Sequence, residues 1–245
     1  MSEIVKTEAV VLSKLNYGDT SYITSLYTKE FGKISAIIKG ARGPKAKMGL
    51  MIDPLNYIYA VLYKKDSREL QIISSVDLLS NFTGLKDDLD KLKFSQAILE
   101  LAKKLTAEHE VNKKLFRAII RIFELLNSSD EPPNILFGRF LLFFISELGY
   151  KIDLENCKSC GKSIIDDPNL GYNFGIGILC HSCNKEKQEN SIFSSELFNY
   201  LTCLKSSKKI KITSQLADKA NIFMENYLKH HIADFNGIQS LQIFK

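Results

Sequence analysis

Apolar and polar positions alternate through the first eighty residues, and a spacing of three to four residues takes over afterwards. Residues 7–15, rich in Val and Leu, predict a first strand. Residues 20–28, carrying Tyr, Ile and Thr, predict a second, and 33–39 a third after the turn Glu30-Phe31-Gly32-Lys33. Gly40, Gly43 and Pro44 then break the pattern. Pro54 opens a fourth strand, 55–63, and a polar turn at 64–68 leads into a fifth, 69–76. Five short strands with one wide gap suit a small barrel such as the OB-fold.

From residue 84 the period is helical. Leu89, Leu92, Phe94, Ala97, Ile98, Leu101, Ala102 and Leu105 mark one helix, and Leu115, Ile119, Ile122, Phe123 and Leu126 a second over 112–126. Pro132-Pro133 can start a third, 134–148, which is apolar nearly all round and therefore expected to be central and buried. Arg139, its one basic residue, is expected to reach a carboxylate or a carbonyl, and Gly149 stops the helix. Two more helices follow at 195–204 and 214–231. The fold class expected is α+β: an OB-fold β-barrel domain over 1–79, then an α-helical domain over 80–245 with a cysteine module inserted at 151–187.

That module holds Cys157-Lys158-Ser159-Cys160 and, nineteen residues later, Cys180-His181-Ser182-Cys183, four of the chain's five cysteines. Two C-x-x-C pairs at such a separation signal a zinc site. Zn²⁺ takes four ligands in a tetrahedron, and two residues between paired cysteines let a tight turn aim both sulfurs at one ion. Gly161 can supply the backbone angles of that turn. A set of four cysteines leaves no position for water or substrate, so one structural Zn²⁺ is expected, held by Cys157, Cys160, Cys180 and Cys183. Two disulfides or free thiols are the alternatives. His181, inside the second knuckle, reads as a bystander.

Composition adds little beyond an ordinary globular chain, 45% hydrophobic and 25% charged, which can bury a core without disulfides. The first residues are acidic where a signal peptide would be basic and then apolar, and no apolar run is long enough to span a bilayer. A cytoplasmic protein without a membrane partner is expected, and association with the nucleoid follows only from a DNA-binding role. A net charge of +5 permits a nucleic-acid partner, and the distribution of that charge is more telling. Lys33, Lys39, Arg42, Lys45 and Lys47 fall in a stretch without an acid, in the gap between the third and fourth strands. Glycines 40, 43 and 49 leave this backbone free to approach a phosphate chain. Such cations neutralise phosphates and release counterions, so these five residues are the candidate DNA contacts; a solvated loop is the alternative.

Tyr17, Tyr22, Tyr27, Phe31, Tyr57, Tyr59 and Tyr63 surround that loop in sequence. One or two could stack on bases, while a barrel this small needs most of them for packing. Tyr57, Tyr59 and Tyr63 share strand parity and so one face. Lys205, Lys208, Lys209 and Lys211 form a second acid-free cluster that either extends a DNA path or is solvated. Enzyme signatures are missing: no phosphate-binding glycine loop, no H-E-x-x-H and no G-x-S-x-G. Asp87, Asp88 and Asp90 sit where acids complement a helix start, and His230-His231 where cations complement a helix end. Cys203 reads as a packed thiol.

Several pieces of this chain resemble the bacterial DNA repair protein RecO family. They are Glu8-Ala9-Val10-Val11-Leu12, Tyr17-Gly18-Asp19, Thr28-Lys29-Glu30-Phe31-Gly32-Lys33 and Lys39-Gly40-Ala41-Arg42. Further on come Glu147-Leu148-Gly149-Tyr150 leading into the first knuckle, and Phe174, Gly175 and Gly177 before the second. The resemblance implies an OB-fold and a helical domain with a zinc finger. It implies binding of single- and double-stranded DNA and annealing of complementary strands. It also implies partnership with RecR and, in some members, with the acidic tail of single-strand-binding protein, the outcome being RecA loaded onto coated strands. The chain departs from relatives at Gly43-Pro44-Lys45-Ala46-Lys47, where they are often more basic, and at Leu141 and Phe143, where they often carry charge.

The leading expectation is thus a non-enzymatic DNA-binding recombination mediator. A zinc-stapled protein-interaction adaptor with incidental nucleic-acid binding is the alternative. A zinc-dependent hydrolase conflicts with the closed cysteine set.

Overall fold

A computed structural model of the chain describes residues 2–43, 46–165, 167, 169–185, 191–205 and 213–243, the side chains of 191 and 192 excepted. The alternating stretch forms β1 (Glu3–Tyr17), β2 (Ser21–Thr28), β3 (Gly32–Ile38), β4 (Tyr57–Lys64) and β5 (Leu70–Ser80), with a short helix α1 (Met48–Met51) in the wide gap. Next come α2 (Thr83–Lys86), α3 (Leu89–Leu105), α4 (Lys113–Ser128) and α5 (Pro133–Glu147). The cysteine region holds β6 (Leu170–Asn173), β7 (Gly177–Leu179), α6 (His181–Lys185) and β8 (Ser191–Phe193), before α7 (Ser195–Lys205), α8 (Ser214–His231) and α9 (Ser240–Ile243).

The five strands close into a barrel in the order β1-β2-β3-β5-β4, with β1 pairing β4. All pairings are antiparallel except β3 with β5. β1 serves two neighbours because it is long: its first half pairs β4, its second half β2, and a register shift between Val11 and Ser13 bends it from one to the other. Alternation sends Val11, Leu26, Ile34, Ile38, Ile58 and Leu62 inward, where each is essentially without exposure. Ala41 and Ile52, from the wide gap, join the same core.

Two compact units divide the chain, 1–130 with 238–245, and 131–237. The change of period near residue 80 is real, but α2, α3 and α4 belong to the unit of the barrel. Their starts are locally encoded. The Asp88 carboxylate caps α3 by accepting from the amides of Asp90 and Lys91, at 2.9 and 3.0 Å, and Asp90 lies in the first turn. The Asn112 side chain caps α4 through the Leu115 amide. The C-terminal segment is held to α3 by one carboxylate: Glu100 accepts from the Gln239 amide, the Ser240 amide and the Ser240 hydroxyl. Burial raises the Glu100 pKa, but the Lys104 ammonium and these donors outweigh it and hold the carboxyl below its ordinary value.

The β2–β3 turn abuts the α3–α4 loop so closely that only glycine fits at Gly32. Its φ is +64°, and a Cβ there would stand 2.1 Å from the Glu110 carbonyl oxygen. The next residue corrects an expectation. Lys33, one of the five candidate DNA contacts, is 7% exposed. Its ammonium donates to the Lys103 and Thr106 carbonyls at 2.7 and 2.6 Å and lies 3.5 Å from the Glu108 carboxylate. It ties the barrel to the last turn of α3, where a cation complements the helix end. Lys33→Ala is therefore expected to lower unfolding stability by about 2–3 kcal/mol. Denaturant titration checks this. An unchanged midpoint, or a loss confined to DNA affinity, would return Lys33 to the binding surface.

In the second unit α5 is buried nearly all round, as its sequence predicts. Arg139 does reach a carboxylate, that of Glu131, at 2.6 Å. Gly149, with φ +88°, ends the helix, and the Tyr150 amide returns to the Ile145 carbonyl. α5 is tied to α8 by Asn221, whose amide donates to the Asn134 carbonyl, and by Asn134, which donates to Ser214 and Asp218. No helix among the described residues is long and apolar enough to cross a membrane.

Candidate metal centre and nucleic-acid interface

The cysteine knuckles are built from turns and a small sheet, order β7-β6-β8. In the first knuckle Gly161, at φ +75°, returns its amide to the Cys157 carbonyl, while the Cys157 amide donates to Lys162. The Lys158 amide donates to the Ile178 carbonyl, which fastens this knuckle to β7. β7 itself leads into the second knuckle: Cys180 precedes α6, and Cys183 lies within it. The Asp167 carboxylate takes the His181 amide at 2.9 Å. The chain thus brings together residues that are twenty positions apart.

The four sulfurs of Cys157, Cys160, Cys180 and Cys183 all lie within 4.8 Å of one another, and those of Cys160 and Cys180 are 3.7 Å apart. A tetrahedron with bonds of about 2.3 Å has edges of about 3.8 Å, so the separation suits one metal ion. His181 is not among the grouped donors. All four thiols are free, so the disulfide alternative is not what the geometry presents. Burial raises the Cys157 thiol, but the amides of Cys180, Cys160 and Ser159 and the Cys160 thiol draw it down to about 6. Hydrogen bonding with the Cys160 and Cys180 side chains, then burial, pushes Cys183 up to about 12. Four adjacent sulfurs resist ionising together, and a bound cation reverses that penalty. The set can hold a metal ion, and four sulfur donors around one tetrahedral ion would leave no coordination position for substrate.

The barrel rim carries the second candidate site. Lys39, Arg42 and Lys47 are exposed. Lys45 lies outside the described residues. Arg42 is fixed at both ends: its amide donates to the Thr20 carbonyl and its Nη1 to the Gly18 carbonyl, each at 2.9 Å. The loop is therefore fastened to the β1–β2 hairpin. Gly49 serves packing here, since a Cβ would stand 2.2 Å from the Ala41 carbonyl oxygen. Close by, the Lys14 ammonium stands 4.4 Å from the Tyr22 ring centre and pairs with Asp53, and both Tyr22 and Lys14 are partly buried.

Of the other aromatics, Tyr27 is buried, and Tyr57 and Tyr59 are partly buried on the outside of β4. The Tyr57 ring lies 6.3 Å from that of Phe116 on α4. Tyr17 and Tyr63 are exposed. Lys205 donates to the Ile152 carbonyl at 3.0 Å, and Lys208, Lys209 and Lys211 lie outside the described residues. One cationic row went unread in the sequence. Lys113, Lys114, Arg117 and Arg121 are all exposed on α4, and 113, 117 and 121 keep the i, i+4 spacing of one face. The apolar stripe of the same helix drew the reading away from it.

Against family models, residues 1–82 match the one described as Recombination protein O N terminal, and residues 86–237 the one described as Recombination protein O C terminal. The chain is 28% identical over 247 residues to the DNA repair protein RecO of Alkaliphilus metalliredigens, covering 99% of each. It is 36% identical over 242 residues to the protein of that name from Chlorobium phaeobacteroides, covering 94% of this chain and 93% of the relative. The Chlorobium limicola relative, also so named, is 37% identical over 161 residues, covering 66% of this chain and 62% of its own.

Proposed function

The chain belongs to the recombination protein O family, and on that premise we propose that it is a DNA-binding recombination mediator of DNA repair, working without bond chemistry. The observation that carries this is the fixed cationic rim, where Lys39, Arg42 and Lys47 stand exposed beside a closed OB-type barrel. Cations at such a rim hold phosphates of single and double strands alike. They also screen the repulsion between two backbones, so complementary strands are kept close enough to pair. Annealing then needs no hydrolysis.

The metal in this reading is one Zn²⁺ on Cys157, Cys160, Cys180 and Cys183, since four thiolates at this spacing suit zinc. It staples the β6–β7–β8 region and supplies rigidity rather than reactivity. The partners proposed are RecR and the acidic tail of single-strand-binding protein, with RecA the beneficiary. An annealing assay with complementary oligonucleotides, followed by RecA loading onto coated strands with RecR from the same organism, tests the reading. Faster pairing and faster loading are expected. Equal rates with and without the protein would sink the mediator role; intact partner binding alongside those equal rates would favour the adaptor.

A further inference from the structure

The solvent face of α4 carries a charge pattern that works against the helix. Lys113, Arg117 and Arg121 stand exposed at i, i+4 and i+8, and no acid occurs between Lys113 and Phe123. An ordinary solvated helix face mixes both signs. Like charges four residues apart destabilise a helix, and this face pairs Lys113 with Arg117 and Arg117 with Arg121. Cations in the first turn also oppose the helix dipole. α3 has Asp90 in its first turn, whereas α4 begins Lys113-Lys114 and has no acid there. The fold makes little use of these charges. Their described side-chain contacts stay within α4: Arg117 donates to the Lys113 carbonyl at 3.3 Å, and Arg121 pairs with Glu124 at 3.4 Å, both side chains being exposed. The Asn112 side chain already caps the Leu115 amide, so what this face offers is side-chain charge.

The face is also set apart from the rim. Both belong to the unit of the barrel, at opposite ends of β3. That strand starts at Gly32, packed on Glu110 just before α4, and ends at Ile38, beside Lys39 of the rim. At about 3.3 Å per residue it separates the two by about 20 Å. Along α4 four residues rise about 6 Å, so the three cations span about 12 Å. That is the length of roughly four phosphates of one strand, at about 3.4 Å each.

We propose that Lys113, Arg117 and Arg121 hold the phosphates of a second single DNA strand while the rim holds the first, so that one chain carries both partners of an annealing reaction. This rests on the DNA-binding reading and adds a second site to it. Phosphates lying along α4 neutralise its like-charge pairs and release their counterions. Two strands held at the ends of β3 meet at the effective concentration of a linked pair and not at that of free solution. Phosphate contacts carry no base information, so the arrangement serves any complementary pair.

The test titrates the full chain with an oligothymidylate of about four nucleotides, about 14 Å long and so shorter than the separation of the sites. Amide shifts in the nuclear magnetic resonance spectrum read each site by itself. The wild type is expected to show two sets of shifts, one at the rim and one over 113–121. The combined variant Lys113→Ala, Arg117→Ala and Arg121→Ala should lose the second set and keep the first. It should also pair complementary oligonucleotides about 100-fold more slowly, the low end of the gain that linked sites give. Alanine favours the helix and removes its like-charge pairs, so the thermal midpoint of the variant should equal or exceed that of the wild type. Rim shifts alone in the wild type, loss of both sets in the folded variant, or wild-type annealing by it would overturn the second strand site and leave the DNA-binding reading standing. A wild type with no shifts at either site would remove both. If 113–121 shift with an oligoglutamate peptide and not with the oligothymidylate, the face is a protein-docking surface and the proposal fails.

Discussion

Cys160→Ser is expected to empty the metal centre and to unfold the region that it staples. Elemental analysis of the reduced wild-type protein should find one zinc per chain, and the variant should retain none. Cys160 is the exposed ligand, so its loss removes little packing beyond the metal bond itself. The consequence is nevertheless large, because the binding free energy of a structural zinc site, about 10–16 kcal/mol in small peptides at neutral pH, is spent on folding. β6 and β7 have four and three residues, too few to persist alone. Amide exchange should therefore accelerate over 151–185. The α5–α8 pair should keep its protection, since Asn134 and Asn221 bind across it without the knuckles. Zinc-free wild-type protein, prepared reduced, would refute the site; uniform loss of protection would show that the staple supports the whole unit.

The second large effect is on salt dependence. Converting Lys39, Arg42 and Lys47 together to Ala should weaken single-strand and duplex binding alike, whatever the base sequence, because phosphate contacts carry no base information. Each lost contact removes about 0.9 units of slope from log affinity against log salt on duplex, and about 0.7 on single strands. The triple variant should thus lose about 2–3 units. Thermal unfolding provides the control: these side chains are exposed, and only Arg42 makes a described hydrogen bond with its side chain, to Gly18. A folded variant with wild-type affinity and slope would mean that the rim is only solvated. The α4 row, Lys113, Arg117 and Arg121, would then be the next surface to substitute.

These two sites differ in how legible they were. The cysteine cluster is written locally: the C-x-x-C spacing preforms each half, and Gly161 supplies the turn, so the four thiols that could hold a metal ion are legible from the chain alone. A phosphate-binding surface is defined by which cations remain exposed, and exposure is a tertiary property. Lys33 shows the difference. It belongs to the same acid-free run as Lys39 and Arg42, yet its ammonium sits on carbonyls seventy residues further along. No local pattern announces that β3 will meet the end of α3. The aromatics divide in the same way. Strand parity placed Tyr57, Tyr59 and Tyr63 on one face, but α4 covers Tyr57 and leaves Tyr63 open.

By itself the sequence determined the period of each segment, and with it five strands, the long helices, their caps and breaks, and the four cysteines that could hold a metal ion. These follow from interactions within a few residues: alternation of burial, side-chain capping of free amides, and glycine where φ is positive. Tertiary structure alone decided that α2, α3 and α4 join the barrel unit, that Lys33 is buried and Arg42 pinned to the hairpin, and that Leu15, Ile23, Ile37, Ile72, Tyr63 and Ile4 line up. Each of those depends on register or on contacts between distant segments. A shift of one residue in any strand would have turned its residue of that row to the opposite face.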